Sequence, residues 1–251
     1  MTVRHIVPLG DFEELASLRA LTREAESLGV STLLLEERLG SQLDPVVTIA
    51  ALLTSNPTIS LGMMLSAHSG RAPSVLAKLV SGLDLVSGGR THLVLGDLDD
   101  APGETLAGSA EQVELIREML THDVTTFVGP AYRVDSAWNT PRISGGSLTP
   151  DKICVAYSRA QLEWIARTDH RGLTAFVIGC SRSTWNVDEP AFAEVLANSG
   201  APFIGALVDI ENDVASAIAF AALIAGRFAA VYLRWPTIPT ESELVLSSQL
   251  G

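Results

Sequence analysis

From one end to the other, the chain alternates between short apolar or β-branched runs and longer segments in which apolar residues recur every three or four positions. This alternation favours strand–helix units with parallel strands, because a helical crossover brings the chain back to start the next strand in the same direction. The first unit is Val3–Val7 followed by Phe12–Leu28, where Leu15, Leu18, Leu21, Ala25 and Leu28 share a face and Gly29 closes the helix. The second is Thr32–Leu35 with a helix from Pro45 to Thr54, opened by Asp44 as N-cap and proline at the first helical position. Ile59–Met64 with Ser74–Leu85 and Thr91–Leu95 with Glu111–Leu120 repeat the plan. It resumes with Ile153–Ala156 and Ala160–Thr168, Leu173–Ile178 and Ala191–Asn198, Phe203–Val208 and Val214–Ala225, and Ala229–Leu233 with Ser242–Ser248. Eight such units in 251 residues, 47% of them hydrophobic, predict one α/β domain over 1–251, a compact (β/α)8 TIM barrel. An open doubly wound sheet is the alternative.

Between the fourth and fifth strands the pattern breaks. TTFVGPAYRV, within Val124–Val134, reads as a small hairpin turned at Gly129-Pro130, and Ser136–Pro150 reads as a polar loop inserted in the barrel. The formal charge of −12 disfavours nucleic acid or an anionic membrane surface as partner. Cys154 and Cys180 stand far apart in apolar contexts, which suits free thiols in a reducing cytoplasm and suggests no metal site. The start, MTVRHIVPLGDFEEL, does not read as a signal peptide, and the apolar stretch Val214–Ala230 is broken by Gly226 and Arg227, so no membrane span is expected.

In a (β/α)8 barrel the chemistry gathers at the C-terminal strand ends. The candidates are then Glu36 to Arg38, Met64 to His68, Gly96 to Asp100, Tyr157 to Arg159 and Gly179 to Trp185. No Gly-x-Ser-x-Gly, P-loop or His-Glu-x-x-His motif accompanies them.

Several runs resemble the luciferase-like monooxygenases, a family that includes bacterial luciferase and F420-dependent oxidoreductases. They are DPVVTIAALLTSNPTISLGMML, RAPSVLAKLVSGLDLVSGGRTHLVLG, REAESLGVSTLLLEE and KICVAYSRAQLEWIARTDHRGL. The resemblance implies a flavin (FMN) or deazaflavin (F420) at the C-terminal mouth, acting on a small-molecule substrate. It sets the ring against Met63, Met64 and Leu65, and the phosphate near Ser158 and Arg159, where a helix start favours a dianion. Plain core packing of the methionines, a helix-capping role for Ser158 and solvation of Arg159 remain the simpler alternatives. Arg90 of Ser-Gly-Gly-Arg falls at the opposite end of the barrel and reads as structural. The resemblance also implies a homodimer paired through the helices beside strands two and three.

The strand ends depart from the family. Where relatives carry a histidine after strand two, this chain has Glu36-Glu37-Arg38. Glu37 is the matching candidate acid or base, and Arg38 is the expected ion-pair partner that would hold it ionised. His68, at the mouth, is the other candidate. After strand four, Asp97, Asp99 and Asp100 stand where relatives present glycines and an arginine, and they would repel a phosphate. Two functions stay open: a flavin- or F420-dependent oxidoreductase, and a divergent family member without redox catalysis.

Overall fold

The computed structural model describes residues 2–11, 14–38, 41–55, 58–66, 70–96, 103–143, 152–157, 175–180, 185–198, 203–210 and 213–250. Its strands are β1 (Thr2–Pro8), β2 (Thr32–Glu36), β3 (Ser60–Leu65), β4 (Thr91–Leu95), β5 (Val124–Val128), β6 (Arg133–Trp138), β7 (Ile153–Tyr157), β8 (Ala175–Cys180), β9 (Phe203–Asp209) and β10 (Ala230–Arg234). The described helices are α1 (Leu15–Ser27), α2 (Pro45–Leu53), α3 (Pro73–Ser87), α4 (Gly103–Thr121), α5 (Trp185–Asn198), α6 (Val214–Ile224) and α7 (Glu241–Ser248). Eight strands close in the order β1-β10-β9-β8-β7-β4-β3-β2. All neighbours are parallel. The expected barrel therefore forms, and the open sheet does not. The helix expected over 160–168 lies outside the described residues.

Local signals set most of these boundaries. The Asp44 carboxylate accepts from the N–H groups of Val46 (2.9 Å) and Val47 (3.1 Å), capping α2 ahead of Pro45. Gly88 ends α3 at φ 67°, a conformation that costs glycine nothing. Arg90 bonds the carbonyls of Ser87 and Ile59 at the strand N-termini, a structural tie remote from the mouth. Two helices begin earlier than their apolar periodicity suggests. α4 starts at Gly103 rather than Glu111, because GETLAGSA is helix-compatible without an apolar stripe to announce it. α5 starts at Trp185 rather than Ala191, with Pro190 inside it, where the Trp185 ring packs on Phe192 (5.2 Å) and Phe220 (5.5 Å).

The period of two along each strand divides the core. Ile6, Leu34, Met64, Val94, Cys154, Ala156, Val177, Leu207 and Tyr232 meet inside the barrel. Their neighbours, such as Val7, Leu35, Met63, Leu65, Val155 and Leu233, pack outward in one cluster with helix residues that include Leu18, Ile49, Leu76 and Ile116. Deep in the lumen, buried Arg4 donates to the Tyr232 hydroxyl (2.8 Å) and lies over the rings of Tyr232 and Phe203 (5.3 and 5.5 Å). Glycines make room for this polar–aromatic packing. A Cβ on Gly62 would come within 2.8 Å of the His92 Cβ, and one on Gly205 within 2.9 Å of the Tyr232 ring.

β5 and β6 form the expected antiparallel hairpin. The Glu111 carboxylate of α4 holds its turn by accepting from the N–H groups of Ala131 (2.9 Å) and Tyr132 (2.7 Å). β6 runs on to Trp138, past Ser136, where the polar loop was expected to begin. The buried Asn139 amide then ties the hairpin base to the Ser81 hydroxyl and the Met119 carbonyl.

His5 faces outward from β1 beneath Trp235, whose Nε1–H donates to His5 Nδ1 at 3.1 Å. Burial lowers the His5 pKa from 6.5 to about 4. The unfolded chain therefore binds the extra proton first, so this contribution to stability is complete above pH 6.5 and is lost as the pH falls towards 4. The loss amounts to at most about 3 kcal/mol. In thermal melts between pH 7 and 4, His5→Phe should flatten the acid-side decline relative to the unmodified protein. Parallel declines would contradict the assignment.

Candidate functional site

At the C-terminal mouth, strand alternation decides which end residues face the lumen. Leu34, Leu207 and Tyr232 point inward, so Glu36, Asp209 and Arg234, two residues further along, end their strands on the same face. Their strands β2, β9 and β10, with β1 between β2 and β10, are consecutive in the barrel. Glu36 Oε1 accepts from Arg234 Nε (2.9 Å) and Nη2 (2.5 Å), while Oε2 accepts from Arg38 Nε (2.9 Å). Arg38 also donates to the carbonyls of Trp235 and Pro236, and Arg234 Nη1 lies 3.4 Å from Asp209 Oδ1. The Glu36 side chain is 7% exposed. A buried carboxylate thus sits between two guanidinium groups, and with Asp209 the four charges cancel.

Glu37 points the other way, towards the start of α3. Its carboxylate accepts both arms of Arg71, at 2.7 and 2.9 Å, and Arg71 Nη2 reaches Asp44 at 2.9 Å. The expected Glu37–Arg38 pair is therefore replaced by Glu37–Arg71 and Glu36–Arg38, because residues two apart lie on the same side of an extended chain. Hydrogen bonding to Glu37 raises the Arg71 pKa above its ordinary value against the opposing effect of burial, and Asp44 adds to the rise. Burial would raise the Asp44 pKa, but the Val47 N–H and Arg71 together bring it below the ordinary carboxylate range. The Arg-x-Pro at 71–73 thus joins three segments at the mouth: the end of β2, the cap of α2 and the start of α3.

Of Met63, Met64 and Leu65, Met64 turns its side chain into the lumen, in the cluster with Val94 and Ala156. Met63 and Leu65 are buried on the outer face, among the helices. Their segment is pinned at the mouth through its carbonyls: the Glu37 N–H donates to Met64 O (2.9 Å) and the Gly96 N–H to Leu65 O (3.1 Å). Gly96 lies so close to β7 that a Cβ there would collide with the Ala156 carbonyl. His68, Ser158, Arg159, Asp97, Asp99 and Asp100 lie outside the described residues. Among the described residues no group of three or more His, Cys, Asp or Glu side chains is placed to hold a metal ion. A separate pocket of about 540 Å³ opens between the start of α3 and the hairpin turn, lined by Arg71, Ser74, Leu115, Tyr132 and Arg133 among others.

Sequence reasoning did not find the pairing of Glu36 with Arg234, which are 198 positions apart. A signal for it existed. In TLLLE and AVYLR the charged residue closes a strand-like apolar run, two positions beyond an inward-pointing residue, so two opposite charges were due at the same end of the lumen.

Comparison with known proteins matches this geometry to a family. A luciferase-like monooxygenase family model matches residues 2–176, more than half of the chain. No curated protein sequence matches it significantly. Among solved structures, an F420-dependent secondary alcohol dehydrogenase in complex with an F420–acetone adduct is similar over 100% of this chain and 98% of its own, with TM-score 0.72 and 11% identity. The monooxygenase RslO1 from Streptomyces bottropensis is similar over 98% and 97% of the two chains, with TM-score 0.68 and 16% identity. The oxygenating constituent of 3,6-diketocamphane monooxygenase from Pseudomonas putida, in complex with FMN, is similar over 91% and 72%, with TM-score 0.57 and 14% identity. At these identities the likeness to solved structures concerns the fold. With the family match across five of its eight barrel strands and into the start of a sixth, β8, the chain belongs to the luciferase-like monooxygenase family.

Proposed function

We propose that the chain is an oxidoreductase that uses reduced FMN or F420 and acts on a small organic substrate at the C-terminal mouth of the barrel. The family match over residues 2–176 carries this reading. The F420 and FMN complexes among the similar folds support both cofactors as candidates.

The apolar inward residues near the ends of β3, β4 and β7 support a place for the ring of such a group. Met64, Val94 and Ala156 turn uncharged side chains inward near the ends of β3, β4 and β7, with Met64 paired in register beside Glu36 of β2. A bound reduced flavin or deazaflavin would supply the hydride, or the electrons that activate oxygen. Met64 provides a polarisable contact and helps to exclude water, with Met63 and Leu65 fixing its segment from the outer face. Ser158 and Arg159 are the proposed phosphate donors. Proton transfer falls to His68 before Glu37, since both Glu37 oxygens are engaged by Arg71. That same engagement favours the second reading, a family member without redox catalysis.

We also propose that two copies pair through α2 and α3, where Val47 is 70% and Val75 49% exposed. That Cys154 and Cys180 are buried and not joined by a disulfide supports the reducing cytoplasm as the proposed location. No described helix is long and apolar enough to cross a membrane.

FMN or F420 at tens of micromolar should raise the melting temperature, since ligand at 100 times its Kd adds about 2.7 kcal/mol to stability. Ser158→Ala with Arg159→Ala should weaken that binding about tenfold or more, the loss expected for charge-assisted hydrogen bonds. A melting temperature unmoved by either cofactor would refute the cofactor reading. Val47→Glu should convert a dimer to a monomer in light scattering, whereas an unmodified protein that already runs as a monomer would refute the pairing.

A further inference from the structure

We infer that Glu36 is a built-in counterion that takes the place of an acidic ligand group on Arg38 and Arg234, so that this side of the mouth admits an uncharged part of a substrate and rejects a carboxylate or phosphate. The inference rests on the reading of the mouth as the binding site. It names the substrate class for the β9–β10–β1–β2 sector.

Paired guanidinium groups facing the lumen of an enzyme barrel would ordinarily mark an anion site, since their fork of N–H groups matches carboxylate and phosphate oxygens. Here that fork is filled from within the chain. Arg234 gives Nε and Nη2 to Glu36 Oε1 and turns Nη1 to Asp209, while Arg38 gives Nε to Glu36 Oε2, shares Nη2 between that oxygen and the Trp235 carbonyl, and gives Nη1 to the Pro236 carbonyl. Glu36 cannot easily swing away, because its side chain is almost wholly buried and its strand is paired on both sides, Pro8 with Glu36 and Glu36 with Met64. An incoming carboxylate would share these guanidinium groups with Glu36 at close range, and would be repelled by the like charge of that buried carboxylate. Among the described residues, two positive and two negative groups balance at this rim, with no excess positive charge to draw an anion in. An uncharged group meets no such penalty, and the neighbouring surface of Met64 and Val94 is apolar.

The test uses acetate and inorganic phosphate as probes, exchanged for chloride at constant ionic strength, with melting temperature as the readout. The unmodified protein should melt at the same temperature in all three salts at tens of millimolar. Glu36→Ala should melt lower in chloride and regain several degrees in acetate, as the small carboxylate fills the vacated position between the arginines. Glu36→Ala with Arg234→Ala should lose that recovery. Stabilisation of the unmodified protein by acetate or phosphate, abolished by Arg234→Ala, would overturn the inference by showing an open anion subsite. A folded Glu36→Ala protein without acetate recovery would overturn it as well. If Glu36→Ala does not fold, the salt series on the unmodified protein and Arg234→Ala decides alone. None of these measurements requires FMN or F420, so failure of the cofactor reading appears separately, as a missing cofactor-induced shift beside an intact acetate response.

Discussion

The barrel closes where its first strand meets its last, and the ion pair of Glu36 with Arg234 spans that seam from one side of β1 to the other. β1 pairs with β10 in the register Ile6 to Arg234 and with β2 in the register Pro8 to Glu36. Backbone pairing supplies the closure, and the buried carboxylate fastens its upper rim by holding the side chains of β2 and β10 together over β1. Arg38 extends the tie to the segment after β10 through the Trp235 and Pro236 carbonyls. Removing one member would strand a charge in a poorly solvated position, which typically costs about 3–5 kcal/mol in a buried pair. The cluster therefore bears on closure and on the chemistry of the mouth together.

This gives the mouth two unlike sides. At the ends of β9, β10 and β2 the charged groups Asp209, Arg234, Glu36 and Arg38 neutralise one another, while the inward residues Met64, Val94 and Ala156 of β3, β4 and β7 are apolar, with Gly96 set close against Ala156. The Arg71 clamp stands behind the second side, joining Glu37, the Asp44 cap and the start of α3. It ties the end of β2 to the starts of α2 and α3. An apolar ring surface next to a neutral polar rim suits a planar cofactor with an uncharged substrate beside it.

Much of this was legible in the sequence because it is local. The strand runs, the Asp44-Pro45 start, the Gly29 stop and the Gly129-Pro130 hairpin each follow from a few adjacent residues, and each has its counterpart in the structure. What was not legible depends on distant groups. Trp185 extends α5 by packing on Phe220 of another helix, Asn139 anchors the hairpin to Ser81 of α3, and Glu36 finds Arg234 only once the barrel closes. Glu37 was singled out by its place in the family pattern, but the partner of its carboxylate, Arg71, comes from the next strand–helix unit. Ser158, Arg159 and His68 lie outside the described residues and remain assignments from motif.

Amide hydrogen exchange with and without saturating FMN or F420 tests the central claim, a cofactor seated at the apolar side of the barrel mouth, most directly. The account predicts added protection at the ends of β3 and β4, around residues 60–66 and 91–96, with β5 and β6 unchanged. Protection confined to residues 70–74 and 132–134, the walls of the outer pocket, would contradict it.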